Sequence, residues 1–160
     1  MRAWRVGGAL IRHADGLVLC GNRRRDRSVE WTPPGGVIDH GETVHQGLAR
    51  EVSEETGLVV VSFLQRAYTV SVAAPEMGWT LDVEAWEAVV GEGEIVLADP
   101  DGIVEEVRHS SAREALELLA GSPPWVREPV SDWVGGTVLD HYRFVVHGHT
   151  RAASRVERIG

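Results

Sequence analysis

The stretch from Trp31 to Leu58 leaves the chain little conformational freedom. Pro33, Pro34, Gly35 and Gly36 stand in a row, and two prolines followed by two glycines bar a helix and impose an irregular turn into a short extended piece. Thr43 then precedes Gln46 by three residues, the spacing at which a hydroxyl and an amide cap a helix reciprocally. Gly57 supplies the residue that tolerates the left-handed conformation closing a helix. A helix over about 44 to 56 is therefore predicted.

Within that helix Glu51, Glu54 and Glu55 crowd one turn. Residues three and four apart are neighbours on a helix, so Glu51 faces both others at a cost of a few tenths of a kcal/mol per pair. The macrodipole has its negative end in this turn and disfavours each carboxylate by a further ~0.3–1 kcal/mol. At about 100° per residue, Leu48, Ala49, Val52 and Thr56 span roughly 60° to 160° from Glu51 and form the face that packs on a sheet. Glu51, Glu54, Glu55 and Gly47 share an adjoining arc from about 300° to 40°. At Gly47 the missing side chain leaves room for an approach to the backbone, and Arg50 reaches either Glu54 at the i,i+4 spacing or a substrate phosphate. Hard oxygen donors grouped in this way suit Mg²⁺ or Mn²⁺, whose charge would offset both penalties. A solvated acidic helix end is the plain alternative.

Composition narrows the class. At 160 residues the chain suits one domain spanning 1–160, and its 43% hydrophobic and 25% charged content is that of ordinary globular proteins. The net charge of −8 argues against a protein that neutralises a nucleic-acid duplex. Cys20 is the single cysteine, sits in an apolar run and forms no internal disulfide, which fits a reducing, cytoplasmic setting. No apolar run has the length of a signal core or a membrane span. Internal repeats are absent.

Residues 4–12 and 17–23 flank an Asp-Gly turn and read as a hairpin, followed by the charged loop RRRDRSVE. Residues 58–74 and 79–90 read as a second, longer hairpin. IVL, a DPDG turn and IVEEVRH suggest a further extended pair, or a strand and loop. SSAREALELLAG reads as a helix started by Ser111 and Glu114 and ended by Gly121. A short helical piece is expected in PPWVREPVSDWVGG and a closing strand in HYRFVVHG, with residues 151–160 loosely held. Strands in runs with separated helices imply an α+β fold, a mixed β-sheet with helices on its faces.

GVIDHGETVHQGLAREVSEETGL, residues 36 to 58, resembles the Nudix box, G-x5-E-x7-R-E-U-x-E-E-x-G-U with U aliphatic. Gly36, Glu42, Arg50, Glu51, Val52, Glu54, Glu55, Gly57 and Leu58 occupy every fixed position. WTPPGG also resembles the family's approach to the box, and EEVRHSSAREALELL extends the likeness more loosely. The family resemblance implies an α/β/α sandwich and metal-dependent hydrolysis of a nucleoside diphosphate linked to another moiety. Carried over by position, Glu51 and Glu55 would be principal ligands of Mg²⁺ or Mn²⁺, with Glu54 and the Gly36 carbonyl as further ligands. Glu42 would stand behind them, and Arg50 would orient a glutamate. Glu51 is the candidate base within the box. In many members the base lies on a later loop, for which Glu105 and Glu106 are the candidates, Glu106 toward the metal and Glu105 toward the substrate.

Outside the box, Arg23, Arg24, Arg25 and Arg27 offer bidentate contacts to a phosphate, and Gly35 and Gly36 line the approach. Trp79, Trp86, Trp125 and Trp133 could stack on a base or serve the core. His40, His45, His109, His141, His147 and His149 show no ligand spacing that competes with the glutamates. His109 stands where many relatives carry a tryptophan. The implied partner is a small-molecule nucleotide, such as ADP-ribose, a sugar nucleotide, a dinucleoside polyphosphate or an oxidised nucleoside triphosphate. No membrane partner is implied, and a homodimer is compatible with the chain. A catalytically silent nucleotide-binding module on the same fold is the rival reading. An isomerase of the isopentenyl diphosphate type would need a catalytic cysteine, whereas Cys20 reads as buried.

Overall fold

Ten strands and three helices make up the computed structural model, which describes residues 1–160. In chain order they are β1 (Arg2–Leu10), β2 (Arg12–His13), β3 (Gly16–Arg23), β4 (Val29–Thr32), β5 (Gly35–Val37), α1 (Val44–Thr56), β6 (Val60–Ala74) and β7 (Trp79–Val90), then β8 (Val104–Ser110), α2 (Ala112–Leu119), α3 (Pro124–Gly135), β9 (His141–His147) and β10 (Arg155–Arg158). A six-stranded mixed sheet runs β10-β9-β6-β7-β1-β5, with β1 parallel to β7 and β6 parallel to β9. The second sheet has β3 at its centre, paired with β2, β4 and β8.

Strand alternation places two cores on opposite sides of β1. Ala9 and Ile11 join Val44, Leu48 and Val52 of α1, together with Val18, Leu58 and Ala88. Leu10 points the other way and joins Ala115 and Leu119 of α2, Val130 and Trp133 of α3, and the sheet residues Val70, Val72, Tyr142 and Phe144. The result is the helix–sheet–helix layering expected. At Gly7 a Cβ atom would lie 2.8 Å from Leu48 Cγ, so α1 packs tightly on β1.

Both caps of α1 form as read. Thr43 Oγ1 accepts from the Gln46 N–H, Gln46 Oε1 accepts from the Thr43 N–H, and Gly57 adopts φ +77°. Thr56 is buried without penalty, since its hydroxyl donates to the Val52 carbonyl and accepts from the Leu58 N–H. Ala49 is only half-buried, while Val44 completes the packed face.

Several expectations are corrected. The first hairpin survives only as Arg12↔Leu17 and His13↔Gly16, because β1 leaves to pair with β5 and β7 in the other sheet. Residues 95–97 form no strand. Instead the Val96 N–H donates to the Thr56 carbonyl at 2.8 Å, capping an otherwise open end of α1. Helix α2 ends at Leu119 with Ala120 in the right-handed region, so Gly121 is not a left-handed cap. Ser111 Oγ accepts from the Glu114 N–H, one half of the capping box. The helical piece beyond it is a full 12 residues, begun by Pro124 at its first turn. In the stretch expected to be loosely held, residues 155–158 pair with β9 as β10. No helix is long and apolar enough to cross a membrane.

Packing and capping should be separable in urea unfolding. Leu48→Ala is expected to cost about 3 kcal/mol through the cavity it leaves, and Thr43→Ala about 1 kcal/mol through the lost cap. Equal losses would contradict this division.

Candidate active site

Two glycines bring the α1 carboxylates against the sheet. Gly35 and Gly36 pair with Gly8 and Gly7 of β1. A Cβ on Gly35 would fall 2.0 Å from the Gly7 carbonyl oxygen, and one on Gly36 would fall 2.8 Å from Glu51 Cδ. With neither present, Glu51 lies on the β5 backbone and Glu55 Oε2 accepts from the Gly35 N–H at 2.9 Å. The room at Gly47 is taken from within the protein, where a Cβ would meet Ile38 Cδ1 at 2.7 Å and Glu42 Oε1 at 3.2 Å.

Arg50 organises the remaining acids. Its Nε and Nη2 donate to both oxygens of Glu42 at 2.9 Å, and Nη1 donates to Glu51 Oε1 at 3.1 Å and Glu54 Oε2 at 3.3 Å. Asp39 lies 3.3 Å from Nη2. The paired guanidinium bonds, with the Asp39 N–H, pull the Glu42 carboxyl down to about 2. The hydrogen bonds to Glu42 first, and the charge of Glu51 next, hold Arg50 firmly protonated. So engaged, Arg50 has little left to offer a phosphate and instead fixes Glu51 and Glu54.

Glu51 and Glu55 have the opposite electrostatics. Burial, opposed by Arg50, raises the Glu51 carboxyl, with Glu54 and Asp101 adding to the rise. Burial also raises Glu55, to about 8, with Glu51, Asp99 and Glu54 pushing the same way and the Gly35 N–H opposing. The outside acids felt here, Asp99 and Asp101, were read in the sequence only as a turn. Asp99 is committed to that turn, accepting from the N–H groups of Asp101, Ile103 and Val104, whereas Asp101 is exposed. Glu105 and Glu106 lie on β8 and are engaged elsewhere, with Arg23 at 3.1 Å and with Arg108.

No three His, Cys, Asp or Glu side chains converge as a ready-made ion cage; Arg50 engages Glu51 and Glu54, and the Gly35 N–H engages Glu55. The donor chemistry nevertheless fits a hard cation. Half-buried carboxylates raised by burial and by one another are the arrangement that an added positive charge relieves.

An apolar cleft of about 220 Å³ begins at Gly35 and Gly36 and runs between β7 and α3, past Tyr68, Leu81 and Trp125. Trp125 is the one tryptophan of the four that lines it. Trp79 packs edge-on to Trp125, Trp86 packs with His45, and Trp133 is core. Arg23, Arg24 and Arg25 line a separate recess nearby. Cys20 is buried, which pushes its thiol up and leaves it inert.

The NUDIX domain family model matches residues 1–133. An RNA pyrophosphohydrolase of Novosphingobium aromaticivorans is 42% identical over 52 residues, 32% of each chain. A MutT-like protein of Streptomyces ambofaciens is 47% identical over 55 residues, 34% of each chain. The chain thus spans about a third of the length of the curated relatives it matches. In fold, it resembles the mutator MutT protein of Bacillus halodurans at TM-score 0.70 and 21% identity, covering 96% of this chain and 97% of that one.

The raised Glu55 carboxyl has a consequence for stability in the absence of metal. Its folded value lies above the ordinary 4.5, so its contribution is present below that pH and is lost as pH rises toward about 8. In chelator, Glu55→Gln should therefore raise the unfolding free energy at pH 8 by about 2 kcal/mol and change it little at pH 4. Urea unfolding at the two pH values checks this, and a loss of stability at pH 8 would refute it.

Proposed function

The chain belongs to the Nudix family, and from that premise we propose that it hydrolyses a phosphoanhydride bond in a nucleoside diphosphate linked to another moiety, using Mg²⁺ or Mn²⁺. One observation carries the reading. Glu51, Glu54 and Glu55 form a half-buried carboxylate group, the first two fixed by Arg50 and the third by the Gly35 N–H, on the glycine pair that also lines an apolar cleft of about 220 Å³.

Glu51, Glu55 and Glu54 would hold the ion, with the Gly36 carbonyl beside them. What a divalent cation supplies when bound is neutralisation of the diphosphate charge and a more acidic water. The protein's own part is positional. Arg50 holds Glu51 and Glu54 in register, Glu42 holds Arg50, and the glycine pair keeps side chains out of the space a phosphate would enter. Trp125 and the aliphatic wall would take the base and exclude water from it. Glu51, raised by burial and next to that space, is suited to accept the proton of the attacking water. Asp101, exposed on the turn before β8, is an outside carboxylate whose charge adds to the rise of Glu51 and is a further candidate for that task. The names of the similar proteins, an RNA pyrophosphohydrolase and a MutT-like protein, support the same bond class.

Product release should be followed for a panel of nucleoside diphosphate derivatives and triphosphates, with and without Mg²⁺ or Mn²⁺. One compound class should be cleaved only with the cation, and Glu55→Gln should lower its kcat by about 100-fold or more. Unchanged turnover in that variant would remove the ligand assignment. At equal metal saturation, Glu51→Gln should lose more rate than Asp101→Asn or Glu106→Gln, and the reverse order would move the base to β8 or its loop.

A further inference from the structure

A recess of about 730 Å³ opens beside the reaction centre, lined by Arg23, Arg24, Arg25 and Arg151 over a floor that includes Asn22 and Thr32. We propose that it binds a second anionic group of the substrate, a phosphate remote from the scissile diphosphate, and that Arg151 is a specificity-determining contact for it. The inference rests on the hydrolase reading above.

The charge balance is the first argument. On a chain of net charge −8, this recess sets four arginines against Asp26 and Glu30 in its lining, with Glu105 paired to Arg23 at 3.1 Å beside it. Glu30 serves two guanidiniums at once, Arg24 and Arg151, the latter at 3.4 Å. Arg25 has no acidic partner. Two guanidiniums sharing one carboxylate retain donors that a phosphate can take as a fork.

Continuity with the reaction centre is the second. Thr32 lines both this recess and the apolar cleft that starts at Gly35 and Gly36, and its hydroxyl accepts from Asn22 Nδ2 at 2.9 Å. Ile103 lines the recess too, directly after the turn closed by the Gly102 N–H donating to the Asp99 carbonyl. A smaller recess of about 250 Å³ connects Arg24 and Arg151 to Trp79 and Trp125. A nucleotide with its base at Trp125 therefore has a path toward the arginines.

The arginines are also positioned in advance. Asp26 Oδ1 accepts from the Ser28 N–H, and the Arg24 N–H donates to the Ser28 carbonyl, closing the turn that carries Arg25. Arg23 Nη2 donates to the Gly102 carbonyl at 3.1 Å. Arg151 sits on the connection between β9 and β10, held where Ser154 Oγ donates to its carbonyl at 2.8 Å. That connection lies beyond residues 1–133, the extent of the family match.

The test compares binding by calorimetry of a nucleoside 5′-triphosphate, its 3′-phosphorylated form and a two-nucleotide 5′-triphosphate, to wild type, Arg151→Ala and Arg151→Lys. The 3′-phosphate should tighten binding to wild type by about tenfold, and Arg151→Ala should abolish that gain while changing the plain triphosphate less than about twofold. Arg151→Lys should restore part of it, and the gain should shrink with salt. Tighter binding of the monoester than of the dinucleotide identifies a terminal phosphate as the ligand, and the opposite order identifies a continuing chain. Equal affinity for all three ligands, or an equal loss for all three in Arg151→Ala, overturns the proposal. Absence of turnover across the whole panel of nucleoside diphosphate derivatives and triphosphates would strike the hydrolase reading instead, with the binding comparison still deciding the recess.

Discussion

Arg50 is the fixed point of the site. A helix that gathers Glu51, Glu54 and Glu55 at its own negative end would disperse them into solvent unless something held them. The guanidinium does this with geometry as well as charge: its fork is filled by Glu42, and the remaining nitrogen reaches Glu51 and Glu54. Glu42 is anchored in turn by the Asp39 N–H. Removing that arginine would leave several carboxylates facing one another in a half-buried space. Glu55 lies outside its reach and keeps a raised carboxyl, so the compensation is deliberately incomplete, and the deficit sits where a cation would bind.

The glycines translate this arrangement into a place for chemistry. Gly7, Gly35 and Gly36 let α1 and the short β5 approach more closely than side chains would permit. The sheet that buries Leu48 and Val52 of α1 on one face supports α3 on the other, while α2 packs against α3 and on β3 and β4 of the second sheet. Gly35 and Gly36 link the layers: their backbone carries Glu55 and Glu51 from the first and also lines the cleft that Trp125 borders from the third. Stability and function draw on the same packing, since any loosening of α1 would displace Glu51 and Arg50 together.

The parts legible in the sequence were those governed by local rules. Capping at Thr43 and Gly57, the exclusion of a helix at Pro33–Gly36 and the period of Leu48, Val52 and Thr56 all depend on neighbours along the chain. Long-range partners were harder to read. The pattern of β1 is equally compatible with a hairpin to β3 and with the parallel pairing to β7 that it makes. Gly121 resembles a helix stop, yet the prolines after it begin α3 at once. Asp99 and Asp101 sat in an obvious turn, and nothing in the turn itself says that it hangs over the end of α1. Glu105 looked free because Arg23 is brought to it only by the pairing of β3 with β8, whereas Glu106 meets Arg108 two residues along its own strand. Arg151 needed the β9–β10 hairpin before it could be placed near Arg24.

A carboxylate group held by one arginine, short of full compensation and open to an apolar cleft, is most simply understood as a divalent-cation site awaiting a phosphate-bearing ligand. Mn²⁺ binding followed by electron paramagnetic resonance is the most direct examination of that idea, comparing wild type with Glu55→Gln and with Glu106→Gln. The bound ion should be lost or greatly weakened in Glu55→Gln and retained in Glu106→Gln. Equal binding by all three proteins would place the cation away from α1 and contradict the central claim.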